Sequence, residues 1–332
     1  MNNMNPNEMA PRVVLAGGTG MLGRLLIPAL LAAGWQVDVL TRGGGGPLPA
    51  GVKAVPWDGL TFGSWVGSLD GAAALINLAG RSTMCRFSEA NRREITASRL
   101  NAVRALAEAV RRASSPPLVW VQANSVAWYG DVGEAACDEQ AESGTGFCAE
   151  VCRAWEREFF TAPLPEVRRV SLRLGFVLSG QGGILKALAP VVKAGLGGAI
   201  GHGRQWVSWV HEDDAVKAFL WALQDATLHG PVVAAAPGAE RNAAFMAALR
   251  KSWGRPWCPG WPAPLVQAGA WLGGMAAEPL LHGRRAFPAA LLARGFRFAA
   301  PQLGEALGRL IPAEGSGAAA HRAPAGVPRA AD

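Results

Sequence analysis

Three glycines near the start of the chain are spaced for binding an anion. Gly17, Gly20 and Gly23 lie three residues apart, directly after the apolar run 13–16 and directly before the helix-like stretch 24–33. Glycines let the backbone turn sharply beside a diphosphate, whose charge is stabilised by the N–H groups and the positive dipole end of the following helix. The chain has 42 glycines, so chance spacing is the alternative, but the flanking strand and helix signals favour a motif. The pattern predicts a site for a dinucleotide cofactor.

The end of the second predicted strand bears on which dinucleotide binds. This strand, 36–40, runs into Thr41 and Arg42. A carboxylate at that place would hold the ribose hydroxyls of NAD, whereas a cation would pair with the 2′-phosphate of NADP. Asp38 lies inside the strand and is aimed less well than Arg42, whose planar guanidinium suits a phosphate. We therefore predict NADP rather than NAD, with a solvated loop role for Arg42 as the alternative.

Polar residues in the later part of the chain allow two further interpretations. His211 with Asp213 and Asp214 has the composition of an acid–base pair, although a structural histidine is the favoured interpretation. Arg204 and Gln205 follow a glycine-rich turn, where they either grip a phosphate or carboxylate on a substrate or stay solvated.

The cysteines do not form a metal-binding pattern. Cys148 and Cys152 lie four residues apart on a predicted helix, but no histidine or third cysteine nearby has the spacing of a metal ligand, so no metal site is expected. The chain has five cysteines, and its N-terminal residues 1–10 lack the apolar stretch of a secretion signal. This combination favours free thiols in a reducing compartment, and we predict a cytoplasmic protein.

Charge and hydropathy argue against two classes of partner. The 332 residues carry a net charge of +7, but the arginines are scattered among glutamates, so no nucleic-acid partner is expected and Arg284 and Arg285 are interpreted as surface charge. No apolar run reaches membrane-spanning length, since glycines, Glu278 and Pro279 interrupt the most hydrophobic late stretch. We expect a small-molecule substrate, no membrane partner, and a monomer or homodimer.

The predicted elements that must position these residues alternate between strand and helix. They are strands at 13–16, 36–40, 52–55, 73–77, 118–124 and 169–174, and helices at 24–33, 88–113 and 147–160. Such alternation predicts an α/β fold with a doubly wound parallel (Rossmann) sheet, whose ligand cleft lies at the carboxyl ends of the strands. The less regular order that follows predicts a smaller C-terminal α/β lobe closing over this edge.

Composition and element order predict four segments along the chain. They are a disordered extension over 1–10, a dinucleotide-binding domain over 11–235 that includes part of the substrate lobe from about 176, a C-terminal lobe over 236–311, and a disordered tail over 312–332.

Several longer motifs resemble one protein family. They lie at 17–23, 76–80, 98–101, 125–130, 150–156, 195–198, 201–206, 208–214, 255–256, 281–288 and 295–298. Together they resemble the extended short-chain dehydrogenase/reductase superfamily, and more narrowly its atypical branch of epimerase family proteins, which are similar to NAD-dependent epimerases and dehydratases. The resemblance covers roughly residues 12–310.

The resemblance implies a place for each contact with cofactor and substrate. The glycine motif would hold the pyrophosphate, Arg42 the 2′-phosphate and Asp58 the adenine, while 77–80 would line the adenosine side. The implied cofactor contacts are Gly17, Thr19, Gly20, Met21, Leu22, Gly23, Arg42, Asp58, Leu78, Ala79 and Gly80. The candidate substrate contacts are Arg204, Gln205 and Trp209.

The same resemblance implies candidate catalytic residues. Ser125 stands four residues before Tyr129, where the superfamily places a serine that donates a hydrogen bond to the substrate oxygen. A strand-end hydroxyl that caps a turn is the alternative for Ser125. Cys148 stands at the position of the superfamily's catalytic tyrosine, and Cys152 at that of its lysine.

This sequence departs from the superfamily at its acid–base pair. The usual chemistry needs a tyrosine and, four residues later on one helix, a lysine that lowers the pKa of the phenol. The chain has one tyrosine, Tyr129, and no lysine between Lys53 and Lys186, so this pair is missing. Three interpretations stay open. First, an NADP-dependent oxidoreductase or epimerase could use Ser125 with Tyr129, or Cys148, as its acid. Second, the proton could come from the substrate or from water. Third, the fold could bind NADP as a non-catalytic regulator or scaffold.

Overall fold

The computed structural model describes residues 10–43 and 46–311. The predicted disordered tail over 312–332 lies outside these residues, as does the predicted extension over 1–10 apart from Ala10.

The described residues form short and long elements in alternation. The strands are β1 (Arg12–Ala16), β2 (Gln36–Thr41), β3 (Lys53–Pro56), β4 (Ala74–Asn77), β5 (Val119–Ser125), β6 (Ala136–Cys137), β7 (Arg168–Leu174), β8 (Phe176–Leu178), β9 (Trp206–Val207), β10 (Trp209–His211), β11 (Gly230–Ala234), β12 (Glu240–Arg241) and β13 (Arg285–Ala286). The helices are α1 (Met21–Ala32), α2 (Glu89–Arg112), α3 (Phe147–Thr161), α4 (Gly183–Lys193), α5 (Glu212–Gln224), α6 (Asn242–Ser252), α7 (Ala263–Leu272), α8 (Glu278–Leu281), α9 (Ala289–Ala293) and α10 (Leu303–Leu310). Single 3₁₀ turns cover Ser64–Ser68 and Val126–Tyr129.

Seven of these strands form the central sheet. Their order is β3-β2-β1-β4-β5-β7-β11, and every neighbouring pair is parallel. The chain moves outward from β1 to β3 and then returns to place β4 on the other side of β1. This reversal confirms the predicted doubly wound parallel sheet and creates a crevice beyond the carboxyl ends of β1 and β4.

The sheet is buried because helices cover it. Strands β1 and β4 are almost wholly apolar and buried, as expected for strands covered on both faces. Helix α1 packs against α5, and α2 packs against α3. The large hydrophobic core therefore lies between the sheet and these helices, with the loops at the strand ends free to build a site.

A second hydrophobic cluster packs together the elements that come after β7 in the chain. It joins α4, α6 and α10 around Trp209, Phe245 and Leu307. The short strand pairs β8 with β10, β9 with β12, and β13 with β6 complete this smaller lobe. Asp214 at the start of α5 accepts hydrogen bonds from the backbone N–H groups of Ala299 (2.6 Å) and Ala300 (3.0 Å), which connects the lobe to the main core.

Within the described residues, no helix combines the length and the apolar character needed to cross a membrane.

Candidate functional site

Four strands bring the candidate residues to one edge of the sheet. β1, β2, β4 and β5 are parallel and end at Ala16, Thr41, Asn77 and Ser125. The glycine turn, Arg42, the 77–80 loop and Ser125 therefore lie beside one another, although up to about a hundred residues separate them in sequence.

The glycine turn is shaped by close backbone contacts. Gly17 has a φ of 77°, and a Cβ at this position would lie 2.9 Å from the Cα of Ala79. A Cβ on Gly23 would lie 2.1 Å from the carbonyl oxygen of Gly18. No side chain caps the N-terminus of α1, and its first turn has no acidic residue. The helix start therefore presents free N–H groups and suits a diphosphate.

A groove of about 590 Å³ runs along this edge. The predicted cofactor contacts that line it are Gly17, Thr19, Gly20, Arg42, Asp58, Leu78, Ala79 and Gly80. The other three predicted contacts lie elsewhere. Gly23 is buried against Gly18, Met21 lies against Gly182, and Leu22 lines a second cavity.

Charged residues near the ends of β2 and β3 differ in their surroundings. Arg42 is exposed, whereas Asp38 is buried in β2 with its carboxylate 3.3 Å from a guanidinium nitrogen of Arg12. The Asp58 carboxylate accepts hydrogen bonds from the N–H groups of Leu60 and Thr61, both at 2.8 Å. These bonds, led by that of the Thr61 hydroxyl, lower the pKa of Asp58. Asp58 thus orders its own loop at the groove wall.

Asn77 fixes the loop that separates the groove from the second cavity. Its Oδ1 accepts from the N–H of Ala79 (2.9 Å), and its Nδ2 donates to Oε1 of Gln122 (2.9 Å). Leu78, held between them, lines both the groove and the cavity. A molecule lying in the groove would therefore reach the cavity at Leu78.

The inner cavity, of about 270 Å³, contains two of the three candidate catalytic residues. Ser125 lies at the end of β5, and its Oγ accepts a hydrogen bond from the N–H of Ala127 (3.1 Å). The side chain therefore caps the 3₁₀ turn and also lines the cavity. Because a hydroxyl can accept and donate at once, its proton stays available to a molecule in the cavity.

Two cysteines of α3 also line the cavity. Cys148 and Cys152 are one helical turn apart, so both face the same way. Burial raises the pKa of Cys148 to about 12 and that of Cys152 to about 11. Both are therefore neutral thiols at physiological pH. All five cysteines of the chain are free.

Tyr129 does not join Ser125 in the cavity. The 3₁₀ turn carries its side chain into the interior, where the hydroxyl donates to the carbonyl of Asp138 (2.7 Å) and accepts from Nη1 of Arg173 (3.2 Å). Burial raises the pKa of this phenol further above its ordinary value. Tyr129 is absent from the described residues that line the cavity, so a Ser125–Tyr129 pair acting on one substrate is not formed.

The predicted substrate contacts lie outside the cavity, but their neighbours line it. Arg204 is exposed, and Gln205 is buried with its Nε2 donating to the carbonyls of Ile200 and Leu280. Trp209 is fully buried and donates to the carbonyl of Gly238.

In the same segment Trp206 and Ser208 face the cavity instead. Because side chains of extended backbone alternate in direction, a residue next to a buried one points the other way.

His211 caps the start of α5, and its Nδ1 also lies 3.5 Å from a carboxylate oxygen of Asp213. It is buried, and its Nδ1 accepts from the N–H of Asp213 (3.1 Å), which caps α5. Its Nε2 has no hydrogen-bond partner among the described residues. Within 10–43 and 46–311, no group of three or more His, Cys, Asp or Glu side chains could hold a metal ion.

Two arginines of the inner cavity were missed in the sequence. Arg284 is only 5% exposed and lines the cavity, so its interpretation as surface charge was wrong; that of Arg285, which is exposed, is confirmed. Arg99 lines the cavity from α2, one turn after buried Ile95. Its helical spacing from Ile95 was the signal that could have identified it.

Comparisons with known proteins agree with this architecture. A family model described as NAD dependent epimerase/dehydratase family matches residues 13–159, and one described as a domain of unknown function, DUF1731, matches residues 261–310. Epimerase family protein SDR39U1 of Bos taurus is 34% identical over 307 residues, covering 90% of this chain and 99% of that protein. Epimerase family protein Mb2239 of Mycobacterium bovis is 34% identical over 297 residues, covering 89% and 96%.

Solved structures show the same similarity. The crystal structure of human epimerase family protein SDR39U1 (isoform 2) with NADPH matches with a TM-score of 0.80 and 31% identity, covering 90% of this chain and 99% of that one. A Thermus thermophilus UDP-glucose 4-epimerase in complex with NAD shares the fold, with a TM-score of 0.70 and 21% identity over 90% of this chain and 97% of the other. The chain belongs to the NAD-dependent epimerase/dehydratase family.

Proposed function

We propose that this protein is an NADP-dependent oxidoreductase or epimerase-like enzyme that acts on a small molecule in the inner cavity. The observation that carries the proposal is the connection at Leu78, where the glycine-lined groove meets the cavity that contains Ser125 and Cys148. A dinucleotide bound along the groove would bring its nicotinamide end to the cavity.

The charges at the groove support NADP over NAD. Arg42 is exposed at the end of β2 and lines the groove, so its guanidinium can pair with a 2′-phosphate. The carboxylate of Asp38, which could otherwise hold ribose hydroxyls, is buried next to Arg12. The human relative was crystallised with NADPH.

The cavity supplies hydrogen bonds and an apolar enclosure for the reaction. When bound, a reduced nicotinamide supplies a hydride. Ser125 can donate its hydroxyl proton in a hydrogen bond to a substrate carbonyl oxygen and stabilise negative charge that develops there. The neutral thiol of Cys148, or water, can provide the proton that completes the alcohol. Leu22, Phe147 and Val151 limit the access of water to the reacting atoms.

A specific observation favours a second candidate function. Cys148 and Cys152 stand where the superfamily carries its tyrosine and lysine, and burial leaves both thiols neutral with raised pKa values. Tyr129 is engaged in the interior. A protein that binds NADP as a regulator or scaffold, without turnover, would not need a tuned acid.

One pair of measurements distinguishes these candidates. Titration with NADPH and NADH, followed by nicotinamide fluorescence, is expected to give tighter binding of NADPH. NADPH-loaded protein is then mixed with a panel of carbonyl and enone compounds while NADPH absorbance is followed. Turnover supports the enzyme. Tight binding without turnover across the panel supports the regulator, and failure to bind either nucleotide would exclude both.

A further inference from the structure

Arg284 is a buried cation with an unused hydrogen-bond donor. Its side chain is only 5% exposed and lines the inner cavity, and its Nε has no hydrogen-bond partner among the described residues. Burial lowers the pKa of Arg284, but a guanidinium keeps its proton at neutral pH. A buried charge of this kind is costly unless a negative group pairs with it.

The surrounding protein groups do not provide that pair. Cys148 and Cys152 lie within electrostatic reach of Arg284, but their raised pKa values keep them neutral. Two carboxylates act on it only from a distance: Glu278, which accepts from the N–H of Cys148 (3.3 Å), and Asp131, which accepts from the N–H of Gly283 (3.1 Å). In the described part of the chain, Arg284 makes no ion pair with either of them.

A second guanidinium converges on the same place. Arg99 lines the cavity, its Nη1 donates to the carbonyls of Arg81 (3.0 Å) and Ile95 (2.9 Å), and its guanidinium lies over the Trp155 ring, 5.0 Å from the centroid. These contacts orient the group without neutralising it. The same two thiols lie within electrostatic reach of Arg99 and of Arg284.

The cavity also holds a second unused donor and lacks a carboxylate. Trp155 lines the cavity, and its buried Nε1 has no hydrogen-bond partner within 10–43 and 46–311. The residues described as lining the cavity include two arginines and no Asp or Glu. Its polar groups therefore call for a ligand that accepts hydrogen bonds and carries negative charge.

We propose that the inner cavity recognises a carboxylate on its substrate, with Arg284 as the anchoring residue and Arg99 adding positive charge beside it. This inference rests on the proposed function, since it names the substrate class of that same site: a small apolar carbonyl compound that bears a carboxylate. The volume of about 270 Å³ and the mainly apolar wall suit a compact acid, and a guanidinium can bind both oxygens of a carboxylate.

Binding of simple acids to the full-length protein tests the proposal. Phenylacetate and isobutyrate are titrated calorimetrically against protein with and without NADPH, alongside the neutral amide of each acid and inorganic phosphate. We expect each acid to bind roughly tenfold or more tightly than its amide, because its charge meets a buried guanidinium. Arg284→Met should abolish this preference, Arg284→Lys should retain part of it, and Arg93→Met, which removes an exposed arginine of α2, should leave it unchanged.

Thermal unfolding of the same variants separates binding from structure. Since Arg284 is buried and unpaired, Arg284→Met should keep or raise the melting temperature. A fall in melting temperature with the acid preference intact would assign Arg284 a structural role and overturn the proposal. Equal binding of acid and amide by the wild type, no binding of either acid, or binding of phosphate alone would also overturn it. Weaker NADPH binding by Arg284→Met with the acid preference intact would assign Arg284 to the cofactor instead. Failure of the wild type to bind NADPH contradicts the proposed function and is measured separately.

Discussion

Nη2 of Arg173 donates a 2.6 Å hydrogen bond to Oε1 of Glu156, and both side chains are buried. The other carboxylate oxygen of Glu156 accepts from Nδ2 of Asn124 (3.0 Å) and Oγ of Ser171 (2.9 Å). The ion pair joins β7 to α3, and the hydrogen bond from Asn124 adds β5. Of these elements, β5 and α3 carry the candidate catalytic residues of the inner cavity.

Loss of this carboxylate should destabilise the fold strongly. Glu156→Gln leaves Arg173 buried without its counter-charge, which should lower the free energy of unfolding by about 3–5 kcal/mol. Glu158→Gln, on the same helix, breaks a bond to exposed Arg104 and should cost about 1 kcal/mol or less. Urea denaturation of both variants checks this, and similar losses in the two would contradict a special role for the buried pair.

Adding a methyl group to two glycines of the motif should affect different properties, stability at one position and cofactor binding at the other. In Gly23→Ala the new Cβ would lie 2.1 Å from the oxygen of Gly18, so we expect a loss of about 1–3 kcal/mol of stability or more. In Gly20→Ala the nearest atom is 3.5 Å away, so the fold should persist while the methyl group obstructs the diphosphate. Melting temperature and NADPH affinity, measured together, should separate the two variants. Equal melting temperatures would contradict the packing argument.

Charge reversal at Arg42 should change the preference between cofactors. Arg42→Asp removes the group proposed to pair with the 2′-phosphate, so NADPH affinity should fall roughly 10- to 100-fold while NADH affinity holds or rises. Lys53→Asp makes the same change of charge at the exposed start of β3, away from the groove lining, and should leave both affinities unchanged. Fluorescence titration of the wild type and both variants with NADPH and NADH measures these six affinities. If both substitutions change the nucleotide affinities equally, the change is caused by the net charge of the protein and not by loss of a phosphate-binding residue.

The buried thiols should make stability depend on alkaline pH. Burial raises the pKa values of Cys148 to about 12 and Cys152 to about 11, from an ordinary 9.0. Because the folded thiols hold their protons more tightly, their contribution is fully present below pH 9 and is lost as pH rises through 11 to 12. The free energy of unfolding should therefore fall above pH 9, by up to about 1.4 kcal/mol per pH unit for each thiol.

Cysteine variants identify the source of this pH dependence. In Cys148→Ala/Cys152→Ala the fall above pH 9 should be shallower, whereas Cys85→Ala, at a half-buried position, should follow the wild type. Urea midpoints collected from pH 7 to 10.5 provide the comparison. Parallel curves for the wild type and the double variant would show that other groups cause the loss.

Ser125 and Tyr129 should affect different properties. Ser125→Ala removes the proposed donor to the substrate oxygen and should lower kcat/KM by roughly 10²–10³ for any substrate found. Tyr129→Phe leaves the carbonyl of Asp138 without its donor, so it should cost about 1–3 kcal/mol of stability and leave turnover intact. NADPH oxidation and urea denaturation measure the two effects. Loss of turnover in Tyr129→Phe without loss of stability would show that the Tyr129 hydroxyl takes part in the reaction.

The first half of the fold was predictable because its signals are long and periodic. The hydrophobic patterns of the buried strands and of the predicted helix over 88–113 are long enough to identify these elements without tertiary information. The structure has the corresponding helix, α2, at Glu89–Arg112. Parallel strands end at one edge, so the sequence alone is enough to predict that Ser125 and Arg42 lie at the same edge of the sheet.

The later part of the site could not be predicted, because its elements are too short to show a period. β9 and β13 have two residues each, and only tertiary packing decides that Trp206 faces the cavity while Trp209 does not. Arg284 next to Arg285 has the composition of a surface pair. Its burial follows from the pairing of β13 with β6, a contact between segments about 150 residues apart.

The tight contacts of Gly17 with Ala79 and of Gly23 with Gly18 have a thermodynamic consequence for the ligand. They pack the turn closely against its neighbours in the folded chain, so the shape of the turn does not depend on a ligand. An incoming nucleotide then loses its own translational and rotational freedom and orders exposed side chains such as Arg42, while the backbone that receives it needs little further ordering.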